Sequence, residues 1–410
     1  MKFDLVINNG LVYDGTGREP ERMNVGVSGD RIAFTGREGI EGKREINAEG
    51  LIVTPGFIDV HGHSDFSLLS DGRAESKVLQ GITSEIGGNC GLSAAPLIGE
   101  YREARMDEIE GLGITERWTT LSEYRGILER SGISVNFGVL CGHGNLRGAV
   151  MGYSGRPAKR TDMDEMMRLL TKTLSDGALG LSTGLIYPPG CFAETGEIID
   201  LVKTLDKKRH IYATHMRGEG ERVVDSVKEV LRVGAESGRK VHISHLKTWG
   251  EENWHKLESI LNLIKDARSR GISVTADRYP YTASSTELDA ILPEWAMEGG
   301  KKKAIERLKS PEDGNRIRDF LRKKSDPFWD KVLVSFIRNE SYRWAEGMRI
   351  SEIGQRMGIS PVDTVIKLLV ESELRTGAIY FVMSEENLKR ILSFDGVMIG
   401  SDSSSRPLKG

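Results

Sequence analysis

Short apolar runs alternate with amphipathic stretches along most of the chain. Eight runs have the length and composition of buried strands: 57–63, 83–89, 133–141, 178–183, 210–215, 241–246, 272–277 and 396–402. Between them, stretches such as DEMMRLLTKTL and ERVVDSVKEVLRVGAES place apolar residues three or four positions apart, which indicates helices with one buried face. Eight buried strands that alternate with helices predict an α/β fold, a TIM-type (β/α)8 barrel.

Two segments do not follow this alternation. Residues 1–55 contain short runs of alternating apolar and polar residues between Gly, Asn and Asp, so we expect a small β-sandwich-type domain there. The barrel is expected at 56–402, with a helical subdomain inserted at 284–380, before the last barrel strand. Residues 403–410 follow that strand without a further helix. We interpret them as a truncated tail and expect the C-terminal partner strands of the β-domain outside this chain.

The composition argues against several classes of protein. The chain of 410 residues has a net charge of −3 and no basic cluster, so neither nucleic acid nor a membrane is an expected partner. Its three cysteines are far apart, which argues against a disulfide framework and for a reducing cytoplasm. No apolar run has the length of a signal-peptide core or of a membrane span. We expect a cytoplasmic protein that acts on a small-molecule substrate.

Five polar side chains follow the ends of predicted barrel strands. His61 and His63 are two positions apart on the first strand and therefore point to the same side. His215 and His245 end the fifth and sixth strands, and Asp402 ends the eighth. In a barrel all five converge on the mouth where active sites lie. Each alone is an ordinary polar residue at a strand end, but imidazole and carboxylate groups together predict a zinc site.

Several longer segments resemble one family of metal-dependent barrels, the N-acyl-D-amino-acid deacylases (D-aminoacylases) of the amidohydrolase superfamily. The likeness extends from about residue 3 to residue 402, nearly the whole chain. In chain order, the segments that carry it are PGFIDVHGHSD, GNCGLSAAP, GLSTGLIYPPG, THMRGEG, ISHLK, YPYTASST, LLVESELRTGAIYFVMSEENLKRIL and MIGSD.

The resemblance implies which residues bind metal. Many binuclear amidohydrolases bridge their metals with a lysine on the fourth strand, but the strand ALGLSTGLIY has none. The family instead uses a cysteine after the second strand, here Cys90 in GGNCG, although a buried cysteine alone is more often structural. A tight zinc is then implied at Cys90, His215 and His245, and a second, weaker site at His61 and His63 that shares Cys90.

The same resemblance implies a reaction. We expect zinc-dependent hydrolysis of the amide bond of N-acyl-D-amino acids, which releases a D-amino acid and a carboxylate. Zinc acidifies a water molecule so that hydroxide can attack, and Asp402 would act as general acid and base. The preference for the D configuration comes from the resemblance alone, and neither the side-chain preference nor the oligomeric state is encoded in the patterns above.

Three residues are candidates for substrate binding. Lys247 and Tyr279, just past the sixth and seventh strands, occupy positions that resemble the family's contacts to the substrate carboxylate. His143 at the end of the third strand is expected to line the pocket. The stretch TASSTELDAILPEWA contains no arginine for the carboxylate, which leaves Arg278 and Arg406 as alternatives.

Other functions remain open from the residues alone. A cyclic-amide hydrolase of the dihydroorotase or hydantoinase type is one, although the missing fourth-strand lysine argues against it. A barrel that serves as an inactive scaffold is another. A thiol amidase with Cys90 as nucleophile is a third, and unlike a zinc enzyme it would survive chelation.

Overall fold

A computed structural model describes residues 2–407 of the chain. The chain divides into two compact units, Met1–Phe57 with Gly81–Thr83, and Ile58–Gln80 with Ser84–Gly410. Of the predicted tail at 403–410, the last three residues lie outside the described part. No helix within residues 2–407 is long and apolar enough to cross a membrane.

The first unit is a β-sheet. Its strands are β1 (Phe3–Val12), β2 (Glu21–Ser28), β3 (Arg31–Gly36), β4 (Gly42–Asn47) and β5 (Ile52–Val53). Strands β1, β2 and β3 are antiparallel neighbours, whereas β4 and β5 pair with β1 in parallel. The predicted N-terminal β-structure is therefore present. Among the described residues it is one five-stranded sheet, so a second layer of the expected sandwich is not seen there.

The barrel strands follow at the predicted places. They are β6 (Phe57–Asp59), β7 (Ile82–Gly87), β8 (Asn136–Val139), β9 (Cys141–Gly142), β10 (Gly180–Gly184), β11 (Ile211–His215), β12 (Val241–Ile243) and β13 (Val274–Arg278). The helices between them bury one face each against the strands, as in α8 with Val223, Val227 and Val230. These helices are α1 (Ser67–Ser70), α2 (Glu75–Val78), α3 (Gly99–Gly111), α4 (Leu121–Ser131), α5 (His143–Met151), α6 (Arg160–Ser175), α7 (Thr195–Lys203), α8 (Val223–Ser237) and α9 (Leu257–Ser269).

The insertion before the last barrel strand differs from the prediction of a helical subdomain. It contains an antiparallel sheet of order β14-β16-β15 and a hydrophobic core of its own around Trp329 and Leu368. The runs VLVSFI and TGAIY are rich in β-branched and aromatic residues, which favours strands. Its elements are β14 (Ser284–Glu287), α10 (Gly300–Lys309), α11 (Pro311–Leu321), α12 (Asp326–Trp329), β15 (Val332–Ile337), α13 (Ile350–Met357), α14 (Pro361–Glu371) and β16 (Thr376–Tyr380).

The chain then returns to the barrel through α15 (Glu385–Leu392) and β17 (Val397–Ile399). Parallel pairing joins β9, β10, β11, β12, β13 and β17 into one sheet and β6, β7 and β8 into another. The third barrel strand is interrupted at Leu140, and within residues 2–407 the segments after the first and eighth strands are linked by one isolated bridge, between Gly62 and Ser403. The strands thus have the predicted order, but several are only three residues long and they do not form one closed ladder.

We expect the insertion to depend on its own core. Trp329 is 2% exposed there, so Trp329→Ala leaves a large cavity and should destabilise the insertion by about 3–5 kcal/mol. Phe336 lies on strand β15 of the insertion and is 52% exposed. Phe336→Ala should therefore change the free energy of unfolding by about 0.5 kcal/mol or less. Urea unfolding followed by circular dichroism measures both, and equal shifts for the two variants would contradict the assignment of this core.

Candidate metal centre

Six side chains from five strand ends meet at the carboxyl side of the barrel strands. Their ligand atoms form two groups, and within each group all of these atoms lie within 4.8 Å of one another. The structure therefore brings together every residue for which the sequence suggested a metal or proton-transfer role. One group is His61, His63, Cys90 and Asp402, and the other is Cys90, His215 and His245.

Cys90 belongs to both groups. Its Sγ lies 3.4 Å from Nε2 of His61 and 3.4 Å from Nε2 of His245. Although burial opposes ionisation, the imidazoles of His61 and His245 hold the pKa of the Cys90 thiol well below its usual range. A thiolate is the form in which cysteine binds metal. The two other cysteines lie outside these groups, and burial raises the pKa of each thiol to about 12.

His215 has the environment expected of a metal ligand. Both of its ring nitrogens are buried, and neither has a hydrogen-bond partner among residues 2–407. Burial lowers the pKa of this imidazole, which keeps the ring neutral and a nitrogen lone pair free. Two imidazoles and a thiolate with a fourth position open form the donor set of a catalytic zinc site, so these residues fit the metal.

Two carboxylates that the sequence analysis did not single out orient the histidines. Asp277 Oδ2 lies 3.0 Å from Nδ1 of His61, and Glu219 Oε1 lies 2.8 Å from Nδ1 of His245. Positive neighbours hold the pKa of both carboxyl groups low against the opposing effect of burial, so both stay ionised and can accept a hydrogen bond from an Nδ1–H group. Each histidine then directs Nε2 towards Cys90, the arrangement typical of metal-bound imidazole. Asp277 is the last residue but one of its strand, near the strand end as the histidines are, a signal that could have identified it.

The backbone at the centre adopts an uncommon conformation. Cys90, His245 and Asp402 have φ angles of 54°, 37° and 52°, in the left-handed region that non-glycine residues rarely occupy. Hydrogen bonds hold two of them: the His245 N–H donates to Asp277 Oδ1 at 2.8 Å, and the Asp402 N–H donates to the His61 carbonyl at 2.7 Å. Strain of this kind persists only where the surrounding structure enforces it, commonly at functional sites.

Two glycines near the first-strand histidines, Gly62 and Gly400, leave room for the side chains of Glu85 and His61. A Cβ at Gly62, between His61 and His63, would lie 2.0 Å from Oε1 of Glu85, and a Cβ at Gly400 would lie 2.5 Å from Cβ of His61. Neither position accepts a side chain without displacement of the centre. Packing therefore favours glycine at position 62, between two histidines whose imidazoles both belong to the centre.

Asp402 is the accessible acid of the centre. Its side chain is 24% exposed, and its Oδ1 lies 3.0 Å from Nε2 of His63 and 3.5 Å from Nε2 of His61. Burial opposes ionisation, but the imidazoles of His245, His61 and His63 hold the pKa of the Asp402 carboxyl well below its usual range. The group is therefore a carboxylate near neutral pH and can accept a proton.

The two residues predicted to bind a carboxylate lie beside the centre. Lys247 is buried, with Nζ 2.5 Å from Glu219 Oε1 and 2.8 Å from His245 Nδ1. The Tyr279 ring lies between two cations, 5.5 Å from Lys247 Nζ and 4.0 Å from the Arg278 guanidinium. Nε and Nη1 of Arg278 are buried without a partner within residues 2–407. Arg406, the other candidate arginine, is exposed.

His143 directly follows the third strand, as expected, but belongs to the helix that comes after it. The third strand ends at Gly142, and His143 is the first residue of α5 because the chain turns into a helix there. Its Nε2 lies 2.8 Å from Oε1 of Glu197, which also pairs with Arg147 at 2.5 Å. His143 is thus part of a buried ion-pair cluster, and a contact with substrate stays a prediction.

Comparisons with known proteins agree with this geometry. Residues 44–259 match the amidohydrolase family. The chain is 34% identical over 401 residues to a D-aminoacylase of Alcaligenes xylosoxydans xylosoxydans, a match that covers 98% of this chain and 74% of the relative.

Two solved structures share the fold. One is an N-acyl-D-glutamate deacylase of Bordetella bronchiseptica in complex with zinc and a phosphonate mimic of the tetrahedral intermediate. It has a TM-score of 0.81 at 30% identity and covers 98% of this chain and 76% of that one. The other is a D-aminoacylase with a binuclear metal centre, at a TM-score of 0.80, 34% identity and the same coverage. The chain therefore belongs to the D-aminoacylase family of the amidohydrolase superfamily.

Proposed function

We propose that the protein is a zinc-dependent deacylase that hydrolyses the amide bond of N-acyl-D-amino acids and releases a D-amino acid and a carboxylate. The observation that carries the proposal is the meeting of Cys90, His215 and His245 around one point, with Asp402 at the second group of ligand atoms. Relatives named D-aminoacylase and N-acyl-D-glutamate deacylase, one of them solved with zinc, support the metal and the substrate class.

In this proposal the two groups of ligands have different roles. Cys90, His215 and His245 hold the tight zinc, and His61 and His63 provide a weaker site that shares Cys90. Bound zinc would polarise the amide carbonyl and lower the pKa of a water molecule. A related D-aminoacylase is described as activated by one metal and attenuated by the second, which supports unequal sites.

Asp402 carries the proton. Its ionised Oδ1 takes a proton from the attacking water and later donates it to the leaving amine, as a general base and then a general acid. Oδ1 of Asp402 lies 3.0 Å from Nε2 of His63, and the partial exposure of the carboxylate allows substrate to reach it.

The free carboxylate of the substrate is proposed to bind near Lys247 and Tyr279. Lys247 is paired with Glu219, but Arg278, 4.0 Å from the centre of the Tyr279 ring, adds a second positive charge with two donors that have no partner within residues 2–407. Two cations against one buried carboxylate leave this part of the pocket positive, which favours an anionic ligand. His143 is proposed to line the same pocket.

A substrate panel tests the function. Purified protein is incubated with N-acetyl derivatives of D- and L-amino acids, and the released amine is measured with fluorescamine. We expect turnover of D substrates only. Turnover of the L series alone would contradict the proposal, whereas hydrolysis of hydantoins or dihydroorotate instead would favour the cyclic-amide alternative. No turnover of any substrate by zinc-loaded protein would favour a scaffold.

Replacement of the proton carrier should affect turnover and spare the metal. Because Asp402→Asn cannot accept a proton, we expect kcat to fall by roughly 100- to 10,000-fold, the usual range for general acid–base catalysis. Zinc content should be unchanged. Asp395→Asn, at a fully exposed position shortly before the eighth strand, is the matched control and should keep wild-type kcat. An active Asp402→Asn variant would refute the role of this carboxylate.

Loss of the shared ligand should release zinc. Cys90→Ala removes the sulfur that belongs to both groups of ligand atoms. We therefore expect the dialysed variant to hold less than one zinc per chain, as measured by mass spectrometry, and to show no turnover. Cys191→Ala, a buried cysteine outside the two groups, should keep its zinc. The chelator 1,10-phenanthroline should inactivate the wild type reversibly, whereas activity that survives full removal of zinc would point to Cys90 as a nucleophile.

A further inference from the structure

A buried lysine lies among residues from three barrel strands. Lys77 in α2 is 2% exposed, and its Nζ donates to Asp59 Oδ2 at 2.7 Å, to Ser401 Oγ at 2.9 Å and to the Ser403 carbonyl at 2.9 Å. An ammonium group has three N–H donors, and each has an acceptor here. Asp59 belongs to the first strand, whereas Ser401 and Ser403 follow the eighth.

The ammonium group of Lys77 balances the negative charge of two buried carboxylates. Asp59 is buried, and its two oxygens also accept the Ser401 N–H at 2.8 Å and the Ser401 hydroxyl at 2.6 Å. A second buried carboxylate, Glu85 of the second strand, lies 3.4 Å from Lys77 Nζ. A buried charge without a partner costs several kcal/mol, so Lys77 is the group that allows these acids to remain inside the barrel.

The same contacts surround Asp402. This residue stands between Ser401 and Ser403, both of which bond to Lys77, and has a left-handed φ of 52°. The His63 N–H donates to the Ser403 carbonyl at 3.2 Å, so the segment 401–403 is also tied to the first-strand histidines. The residues on both sides of Asp402 are thus held by one buried cation, Ser401 through its hydroxyl and Ser403 through its carbonyl.

We propose that Lys77 is a positioning residue, which through Ser401 and Ser403 holds Asp402 in the orientation needed for proton transfer. This inference rests on the proposed deacylase function. Within residues 2–407 the hydrogen bonds and ion pairs of Lys77 do not involve Cys90, His215 or His245. Loss of the ammonium should therefore displace Asp402 without removing a ligand of the tight zinc.

The first test is a double variant that removes Lys77 together with the carboxylate to which it donates, so that Asp59 is not left as a buried charge without its cation. Lys77→Met with Asp59→Asn removes both charges at similar volume, an exchange that proteins commonly tolerate. We expect a folded protein with its zinc and an unchanged KM. Its kcat should fall by about 100-fold, as small displacements of catalytic groups do. If Lys77 only neutralised Asp59, the double variant would recover wild-type kcat, and that result would overturn the proposal.

Serine variants provide a milder test on the same segment. Ser401→Ala removes one acceptor of Lys77 and one donor to Asp59, and we expect a smaller decrease of kcat at unchanged KM and zinc content. Ser404→Ala is the matched control, because its hydroxyl is not among the partners of Lys77 or Asp59, and it should keep wild-type kcat. Equal kcat in the two serine variants would overturn the proposal.

Crystal structures of the zinc-loaded wild type and double variant provide a readout that does not depend on activity. We expect Asp402 to leave its left-handed conformation and its contact with His63, now 3.0 Å. If the wild type hydrolysed no N-acyl-D-amino acid, the proposed function would fail, and these structures would still decide the role of Lys77. A displaced Asp402 supports it, and an unmoved Asp402 overturns it.

Discussion

The centre depends on the sulfur of Cys90, because this one atom lies against both groups of candidate ligands. Its Sγ lies 3.4 Å from Nε2 of His61, at the first strand, and 3.4 Å from Nε2 of His245, after the sixth strand. The sulfur therefore connects side chains from separate strand ends. The surrounding imidazoles keep its pKa low despite burial. A buried thiolate is stable only beside positive charge, so the histidines and the sulfur require one another. Every other group at the centre is arranged around this contact.

Buried charges behind the centre enforce its backbone. Asp65 accepts the N–H groups of Gly88 and Ala94, which lie on either side of Cys90, at 3.0 and 3.1 Å. Asp277 accepts the N–H of His245, and Lys77 bonds to both neighbours of Asp402. Each left-handed residue of the centre thus has an ionisable side chain from another segment of the chain bonded to its own backbone or to residues near it. Charged groups that accept or donate several hydrogen bonds can offset strain of about 1–3 kcal/mol per residue.

Much of this centre could be predicted from the sequence, because a short strand that ends in a polar residue places that residue at the barrel mouth. His61, His215, His245 and Asp402 follow this rule, and the structure brings them together. Cys90 needed the resemblance to a known family, since nothing in its spacing separates it from a structural cysteine. Its φ angle, and those of His245 and Asp402, could not be predicted because these residue types do not signal a left-handed backbone.

The remaining differences have physical causes of two kinds. The third strand ends at Gly142, one residue beyond the predicted run 133–141, and His143 begins the helix that follows instead of ending the strand. In the insertion, Ser284 pairs with Tyr380, and β14 is a short polar strand without a pattern of its own. Long-range pairing of this kind is decided by tertiary contacts, whereas the Lys- and Glu-rich helices between the strands have strong local patterns. The local signal therefore dominated the prediction.

The insertion and the centre are joined by direct contacts. The ring of Tyr187 packs edge-on against His215 at 5.0 Å, and its hydroxyl lies 3.1 Å from Thr286 Oγ1 on β14. On the other side, Trp249 follows Lys247 by two residues and packs against Tyr380 of β16 at 6.0 Å. Two neighbouring strands of the insertion sheet thus touch residues beside a candidate zinc ligand and beside a candidate carboxylate contact. Because packed cores transmit displacement, the position of this sheet helps to fix the residues beside the candidate centre.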